Sequence, residues 1–398
     1  MKLVSKRLWL IYSALALSTT IVFIGEIIAR HQIAIEEKSR TPVYVADLIL
    51  GYRLKPNLDI THKALGKGTP EIPVHTTPQG FRDNQIYSYS KPLNTFRILM
   101  LGDSFIQGDE VPLEKTISKL LEQKLNQLDP DLNYQVINAA WRGSNPLQQY
   151  LWFKTEGIKF NPDLVIVNFY VGNDVDDVLM FNIESDSSGL AEKLTLKDTY
   201  IDSDGYLKRN PSPRRINGIL SRINILICDP LYLCKYYLRP LTDKVLNQLG
   251  LGKYYPIWSP DWFAFLWPDL SLEMTSAWQL TQKHIVAIKT LAQQQGSDFI
   301  LTTIPFDHQV DPAKWSKALK VMTRQELEDM AQNAYPQQRL KYFAQENKIT
   351  LIDFLPQFRL TNNSQKLYFP SDFHWNPAGH QLAAQLILKA LEDYGHLL

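Results

Sequence analysis

Ser104 is the residue of this chain best placed by its neighbours to act as a nucleophile. It ends the run Phe96-Arg97-Ile98-Leu99-Met100-Leu101-Gly102-Asp103-Ser104, where an apolar stretch stops on a glycine, an acid and a hydroxyl. Such a run reads as a buried strand, and open α/β sheets place their ligands at the carboxyl ends of such strands. Gly-Asp-Ser alone is also ordinary turn chemistry. Two more apolar runs, however, end on small or polar groups. Val136-Ile137-Asn138-Ala139-Ala140 leads to Gly143, and the run from Asp163 to Val171 leads to Gly172-Asn173-Asp174. Far downstream, Ser371-Asp372-Phe373-His374-Trp375-Asn376-Pro377 offers an acid and an imidazole. Acyl chemistry at a serine needs a base to take the hydroxyl proton, an acid to orient that base, and N–H donors for the oxyanion. All are available here. Each residue also has a plainer role: Gly143 permits a turn, Asn173 satisfies a strand end, and Asp372 caps a turn before the helix begun by Asn376 and Pro377.

This ordered set resembles the SGNH hydrolases, also called the GDSL esterase and lipase family. The resemblance spans residues 96 to 395. It implies a triad of Ser104, His374 and Asp372, with an oxyanion hole from Ser104, Gly143 and Asn173. Leu50-Gly51-Tyr52-Arg53-Leu54-Lys55-Pro56-Asn57 and Gly80-Phe81-Arg82-Asp83 are similar to the lead-in of some large bacterial members. The last acid and base read Asp372-Phe373-His374 rather than the usual Asp-x-x-His, closer to the Asp-x-His-Trp of the alginate O-acetyltransferase branch. The activity implied is serine ester hydrolysis of O-acyl groups on an envelope carbohydrate or lipid. The alternatives are an O-acyltransferase modifying an envelope polysaccharide, or a noncatalytic envelope assembly or binding protein on the same fold.

No cofactor and no metal are expected. There is no Gly-x-Ser-x-Gly elbow, no glycine-rich phosphate loop and no dinucleotide fingerprint. His374 with Asp372 and His380 raises a metal reading, but no further His or Cys cluster completes a shell. Asp103 is expected to brace the nucleophile loop, and His308, after Pro305, lies within reach of the pocket rim.

Positioning these groups requires alternating strands and helices. Leu113, Ile117, Leu120, Leu121, Leu125 and Leu128 keep helical spacing after Pro112, and further helices are expected over 147–158, 277–295 and 377–393. Strands are expected at Phe96, Val136, Asp163, Phe299–Ile304 and Ile349–Phe354. The fold class is therefore α/β: a three-layer α/β/α arrangement on a five-stranded parallel sheet, flavodoxin-like as the resemblance implies. A helical insertion is expected over 176–275, which does not fit the strand–helix rhythm and is amphipathic in part, placed as a cap over the site. Ile201-Asp202-Ser203-Asp204-Gly205-Tyr206 within it is a turn rather than a calcium loop. Proline spacing between residues 43 and 92 leaves room for short strands only.

The amino terminus adds a membrane. Leu8 to Gly25 is an 18-residue run without charge, preceded by Lys2, Lys6 and Arg7, and long enough to span a bilayer. The competing reading is a cleaved signal peptide with Ala14-Leu15-Ala16 at its end, but apolar residues continue past that point. The domain plan is a tail and anchor over 1–30, a spacer and lead-in over 31–92, and the hydrolase domain over 93–398. Flanking basic residues are nearly balanced and do not orient the helix; a short cytoplasmic tail is the simpler topology, placing residues 31–398 outside the cytoplasm, periplasmic or at the cell surface. A net charge of +1 on 398 residues shows no basic bias, so no nucleic-acid partner is expected. Partners are an acylated carbohydrate or lipid substrate and the membrane; oligomeric state is not readable. Cys228 and Cys234 either pair in an oxidising compartment or sit as small buried thiols.

Overall fold

The computed structural model describes residues 2–39, 43–63, 71–197, 199–201, 207–209, 231, 233–234, 264–311, 323–362, 365–370 and 373–393. Two compact units emerge: Met1–Pro42 with Pro211–Pro256, and Val43–Asn210 with Ile257–Leu398. The first contains the helix Lys2–Ser39, so the helix continues through the stretch expected to be a spacer. Within it, Tyr12–Gln32 is long and apolar enough to cross a membrane by length and composition. Glu26 pairs with Arg30 at 2.7 Å and accepts from the Leu233 N–H at 2.9 Å. Cys234 is disulfide-bonded; Cys228 lies outside the described residues.

The second unit opens with two antiparallel hairpins, β1 (Tyr44–Asp47) with β2 (Gly51–Leu54) and β3 (Asp59–Lys63) with β4 (Glu71–His75). The central strands β5 (Thr95–Gly102), β6 (Asn133–Ala140) and β7 (Leu164–Tyr170) follow. The described part of the insertion then forms the hairpins β8 (Phe181–Ser185) with β9 (Ala191–Leu196) and β10 (Thr199–Ile201) with β11 (Leu207–Arg209). β12 (Asp298–Ile304) and β13 (Thr350–Asp353) complete a five-stranded parallel sheet in the order β13-β12-β7-β5-β6. This is the flavodoxin-like order, whose strand sequence reverses between β5 and β7.

Both faces of the sheet are covered, which is why its strands are continuous apolar runs: Ile98, Leu99, Met100 and Leu101 are all fully buried. Helices Ile117–Leu128 and Pro377–Asp393 pack together on one face, and Pro146–Thr155 against Leu272–Gln294 on the other. Ile117, Leu121 and Leu125 form the buried stripe of the first helix, as their spacing requires. The last helix starts where Asn376 accepts from the N–H groups of Ala378 and Gly379 at 2.9 and 3.1 Å, with Pro377 at the first helical position. Among the described residues, the helices Asp307–Val310, Arg324–Asn333, Tyr335–Glu346 and Leu355–Asn362 lie between β12 and the last helix.

Candidate active site

Strand β5 delivers Ser104 to the carboxyl edge of the sheet beside the order reversal. Its end is tightly built: a Cβ on Gly102 would lie 2.5 Å from Ile106 Cγ1, so only glycine lets the chain turn directly into the short helix Ser104–Gln107. Asp103 caps that turn by accepting from the Phe105 N–H at 3.0 Å. Neighbouring strands hold the same turn. Asn168 Nδ2 donates to Leu101 O at 2.9 Å, Asn138 Nδ2 to Ile106 O at 2.7 Å, and Ser144 Oγ to Gly102 O at 2.6 Å.

Ser104 Oγ and His374 Nε2 stand 2.8 Å apart, although 270 positions separate them in the chain. Both are buried, His374 at 2 % exposure. The imidazole packs against Phe105, with ring centroids 5.0 Å apart, and is followed by Trp375, which is fully buried among Phe105, Phe354, Phe358 and His380. Trp375 is thus a peg that fixes the backbone carrying His374. Asp372, the acid expected to orient this imidazole, lies outside the described residues.

A second carboxylate faces the other ring nitrogen. Glu110 Oε1 is 3.4 Å from His374 Nδ1 and 2.6 Å from Arg142 Nη2, and Glu110 is 2 % exposed. Its loop is held from behind by Arg82, a fully buried residue of the lead-in, which donates to the carbonyls of Gln107, Gly108 and Val111. The lead-in is therefore part of the site's scaffold.

Gly143 has φ +70°, in the left-handed region, and a Cβ there would lie 2.8 Å from Tyr52 Oη. Tyr52 donates its hydroxyl to Arg142 O at 3.1 Å, while the Arg142 N–H donates to Gln107 Oε1 at 2.5 Å. Asn173 Nδ2 donates to Asp177 Oδ2 at 2.8 Å, and the same oxygen lies 4.0 Å from the position of a Gly143 Cβ. The glycine and the asparagine are thereby neighbours, with one amide hydrogen of Asn173 left for another acceptor.

Burial dominates the local electrostatics. It pushes the Asp103 carboxyl up to about 6 and that of Asp176 to about 8, the latter with help from Asp177. Asp174, which accepts from the Tyr170 N–H at 3.0 Å, is raised well above the carboxylate range by burial and then by Asp103. Burial opposes the charge of Arg142, but Glu110, Tyr44 and Asp109 outweigh it and hold the guanidinium firmly protonated. His380, buried inside the start of the last helix, is depressed to about 3 by burial. His308 sits against Asp307 at 2.5 Å and stacks on Phe306. Among the described residues no group of three or more His, Cys, Asp or Glu is arranged to hold a metal ion.

Glu110, Arg142, Tyr52 and Asp177 were not singled out from sequence. A buried carboxylate and a solvated one look alike in a string of letters, and the only cue was the closeness of Gly108-Asp109-Glu110 to Ser104.

The family model for the SGNH hydrolase-like domain of the acetyltransferase AlgX matches residues 259–397, a segment that contains β12, β13 and His374 but not Ser104. No curated protein sequence matches the chain. Similar solved structures include the acetyl xylan esterase AlAXEase, 14% identical, covering 74% of this chain and 100% of that one with a TM-score of 0.38. A catalytic mutant of Axe2, an acetylxylan esterase from Geobacillus stearothermophilus, is 11% identical over 74% of this chain and 93% of that one, TM-score 0.39. A two-domain esterase active on acetylated mannans, co-crystallized with mannopentaose, is 12% identical over 75% of this chain and 49% of that one, TM-score 0.37. The chain resembles the SGNH hydrolases, and over residues 259–397 it matches their AlgX acetyltransferase branch.

Proposed function

We propose that this chain is a serine enzyme acting on O-acyl esters, and that its substrate is an acetylated carbohydrate of the cell envelope. The observation that carries the reading is the 2.8 Å contact between Ser104 Oγ and His374 Nε2 at the carboxyl edge of the sheet. A serine within proton-sharing distance of an imidazole is the working pair of acyl transfer. In this scheme Ser104 attacks the ester carbonyl as His374 takes the hydroxyl proton. His374 then returns that proton to the departing sugar oxygen as the C–O bond breaks, leaving an acyl-serine. The backbone N–H groups of Ser104 and Gly143 and the side-chain amide of Asn173 are the donors to the oxyanion, and Asp372 orients the imidazole. Loss of one such donor typically costs about 10²- to 10³-fold in turnover.

Water or a sugar hydroxyl can resolve the acyl-serine by the same chemistry in reverse. The match to the AlgX acetyltransferase domain supports transfer to a polysaccharide as a second outcome beside hydrolysis. The helix Lys2–Ser39 supports anchoring in a membrane, and in this reading the domain that follows it lies outside the cytoplasm. Labelling the full chain in detergent with a fluorophosphonate probe, beside Ser104→Ala, tests the serine mechanism. Label on the wild type alone is expected, and equal label on both proteins, or none on either, overturns it. Acetate release from an acetylated glycan, compared with acetyl transfer to added oligosaccharide, then separates hydrolysis from transfer.

A further inference from the structure

We propose that Glu110 is a positioning residue for His374, its carboxylate facing Nδ1 while Arg142 fixes that carboxylate in place. The inference rests on the serine mechanism above and adds, beside the proposed Asp372, a second carboxylate that acts on the same imidazole.

Three observations carry it. The two ring nitrogens of His374 address opposite partners: Nε2 meets Ser104 Oγ at 2.8 Å, and Nδ1 meets Glu110 Oε1 at 3.4 Å. A carboxylate on Nδ1 selects the tautomer whose Nε2 accepts the serine proton, and it stabilises the imidazolium that results. The separation is longer than a formed hydrogen bond, as is common for catalytic contacts before substrate binds. Second, Glu110 is nearly fully buried, and a buried carboxylate needs a partner; Arg142 Nη2 supplies it at 2.6 Å through the same oxygen. Third, the loop has little freedom. Arg82 holds the carbonyls of Gln107, Gly108 and Val111, and Gln107 Nε2 donates to both carboxylate oxygens of Asp109 at 2.8 and 2.9 Å.

The arrangement also links two halves of the site. Arg142 immediately precedes Gly143, so the ion pair that aims Glu110 at the base also anchors the residue before the proposed oxyanion glycine. Glu110 thereby couples the imidazole to the backbone donor.

The test compares fluorophosphonate labelling rates of the wild type, Glu110→Gln, Glu110→Asp and Asp372→Asn across about pH 5 to 9, the range in which a histidine titrates. Among the described residues, the charged or titratable groups beside His374 include Asp103, Glu110 and His380, with Arg142 paired to Glu110, so the profile is read as a difference between variants. Glu110→Gln is expected to slow labelling about 10²- to 10⁴-fold. The rising limb of its profile should move to lower pH, because an imidazolium without its facing carboxylate loses its proton more readily. Glu110→Asp should recover part of the rate. Wild-type rate and an unmoved profile in Glu110→Gln overturn the proposal while leaving the serine mechanism intact. Undiminished label on Ser104→Ala instead removes both. If Glu110→Gln does not fold, the downfield imidazole Nδ1–H proton signal of His374 decides: its persistence in Asp372→Asn supports Glu110, and its loss overturns the assignment.

Discussion

One proton of the sheet domain's response to acid should belong to His380, a residue outside the proposed chemistry. His380 is 1 % exposed at the start of the last helix, its ring edge-on to Trp375 at 5.5 Å, and among the described residues its Nδ1 has no hydrogen-bond partner. Burial lowers its pKa from 6.5 to about 3, with Glu110 opposing that shift and Arg82 and His374 adding to it. Between those values the unfolded chain binds a proton that the folded chain refuses, so stability falls as pH drops. A gap of about 3.5 units at about 1.36 kcal/mol each corresponds to about 5 kcal/mol, comparable to the whole stability of many domains. Asp174, Asp176 and Asp103 work in the opposite sense, because burial raises each carboxyl. For Asp103 alone, a folded pKa of about 6 against the ordinary 3.8 means that its ionisation removes about 3 kcal/mol as pH rises from 3.8 to 6. The wild-type pH slope is therefore a difference between opposing groups, and the informative comparison is with His380→Gln, which keeps a polar side chain that does not titrate. Between about pH 6 and pH 4 the slope of stability against pH, read from urea unfolding, should be lower in this variant than in the wild type by close to one proton. Parallel curves for the two proteins would refute the burial argument.

Two further outcomes follow from packing. Gly143→Ala forces a side chain into left-handed backbone and against Tyr52 Oη, so it should destabilise by about 1 to 2 kcal/mol and slow labelling about 10²-fold or more. Adding Tyr52→Phe should relieve the steric part only, and full recovery in the double variant would show that backbone conformation is not limiting. Arg82→Met removes the donor to three buried carbonyls and should lower stability by about 3 to 5 kcal/mol, read as a lower urea midpoint at unchanged m-value. A change within about 0.5 kcal/mol would mean that the lead-in does not staple the nucleophile loop.

The elements closest to the candidate site were legible because their signals are local. The runs at Phe96, Val136 and Asp163 end within a residue or two of β5, β6 and β7, and Asn376-Pro377 opens the last helix as expected. Apolar continuity marks a strand buried on both faces, and capping residues act within one turn. Tyr335–Glu346 and Leu355–Asn362 were not expected as helices. Their inward residues, such as Gln337, Leu340 and Phe343 in the first, alternate with polar or exposed ones, including a Tyr342 that is 70 % exposed, so the apolar stripe is weak until a surface is packed against it. Likewise the described start of the insertion is built from hairpins, whose pairing is set by partners rather than by periodicity.

By itself, then, the order of residues determined which groups have the chemistry: a hydroxyl after Gly102-Asp103, an imidazole before Trp375, and amide donors after two other strands. Tertiary structure alone decided who meets whom. It brought Ser104 and His374 to 2.8 Å across 270 residues and turned Glu110 inward onto Nδ1 between that imidazole and Arg142. It also recruited Arg82 and Tyr52 from the lead-in as supports. The physical reason is that a carboxylate's partners, and with them its burial and its charge state, are long-range properties of the folded chain, whereas strand ends and helix caps are written within a few consecutive residues.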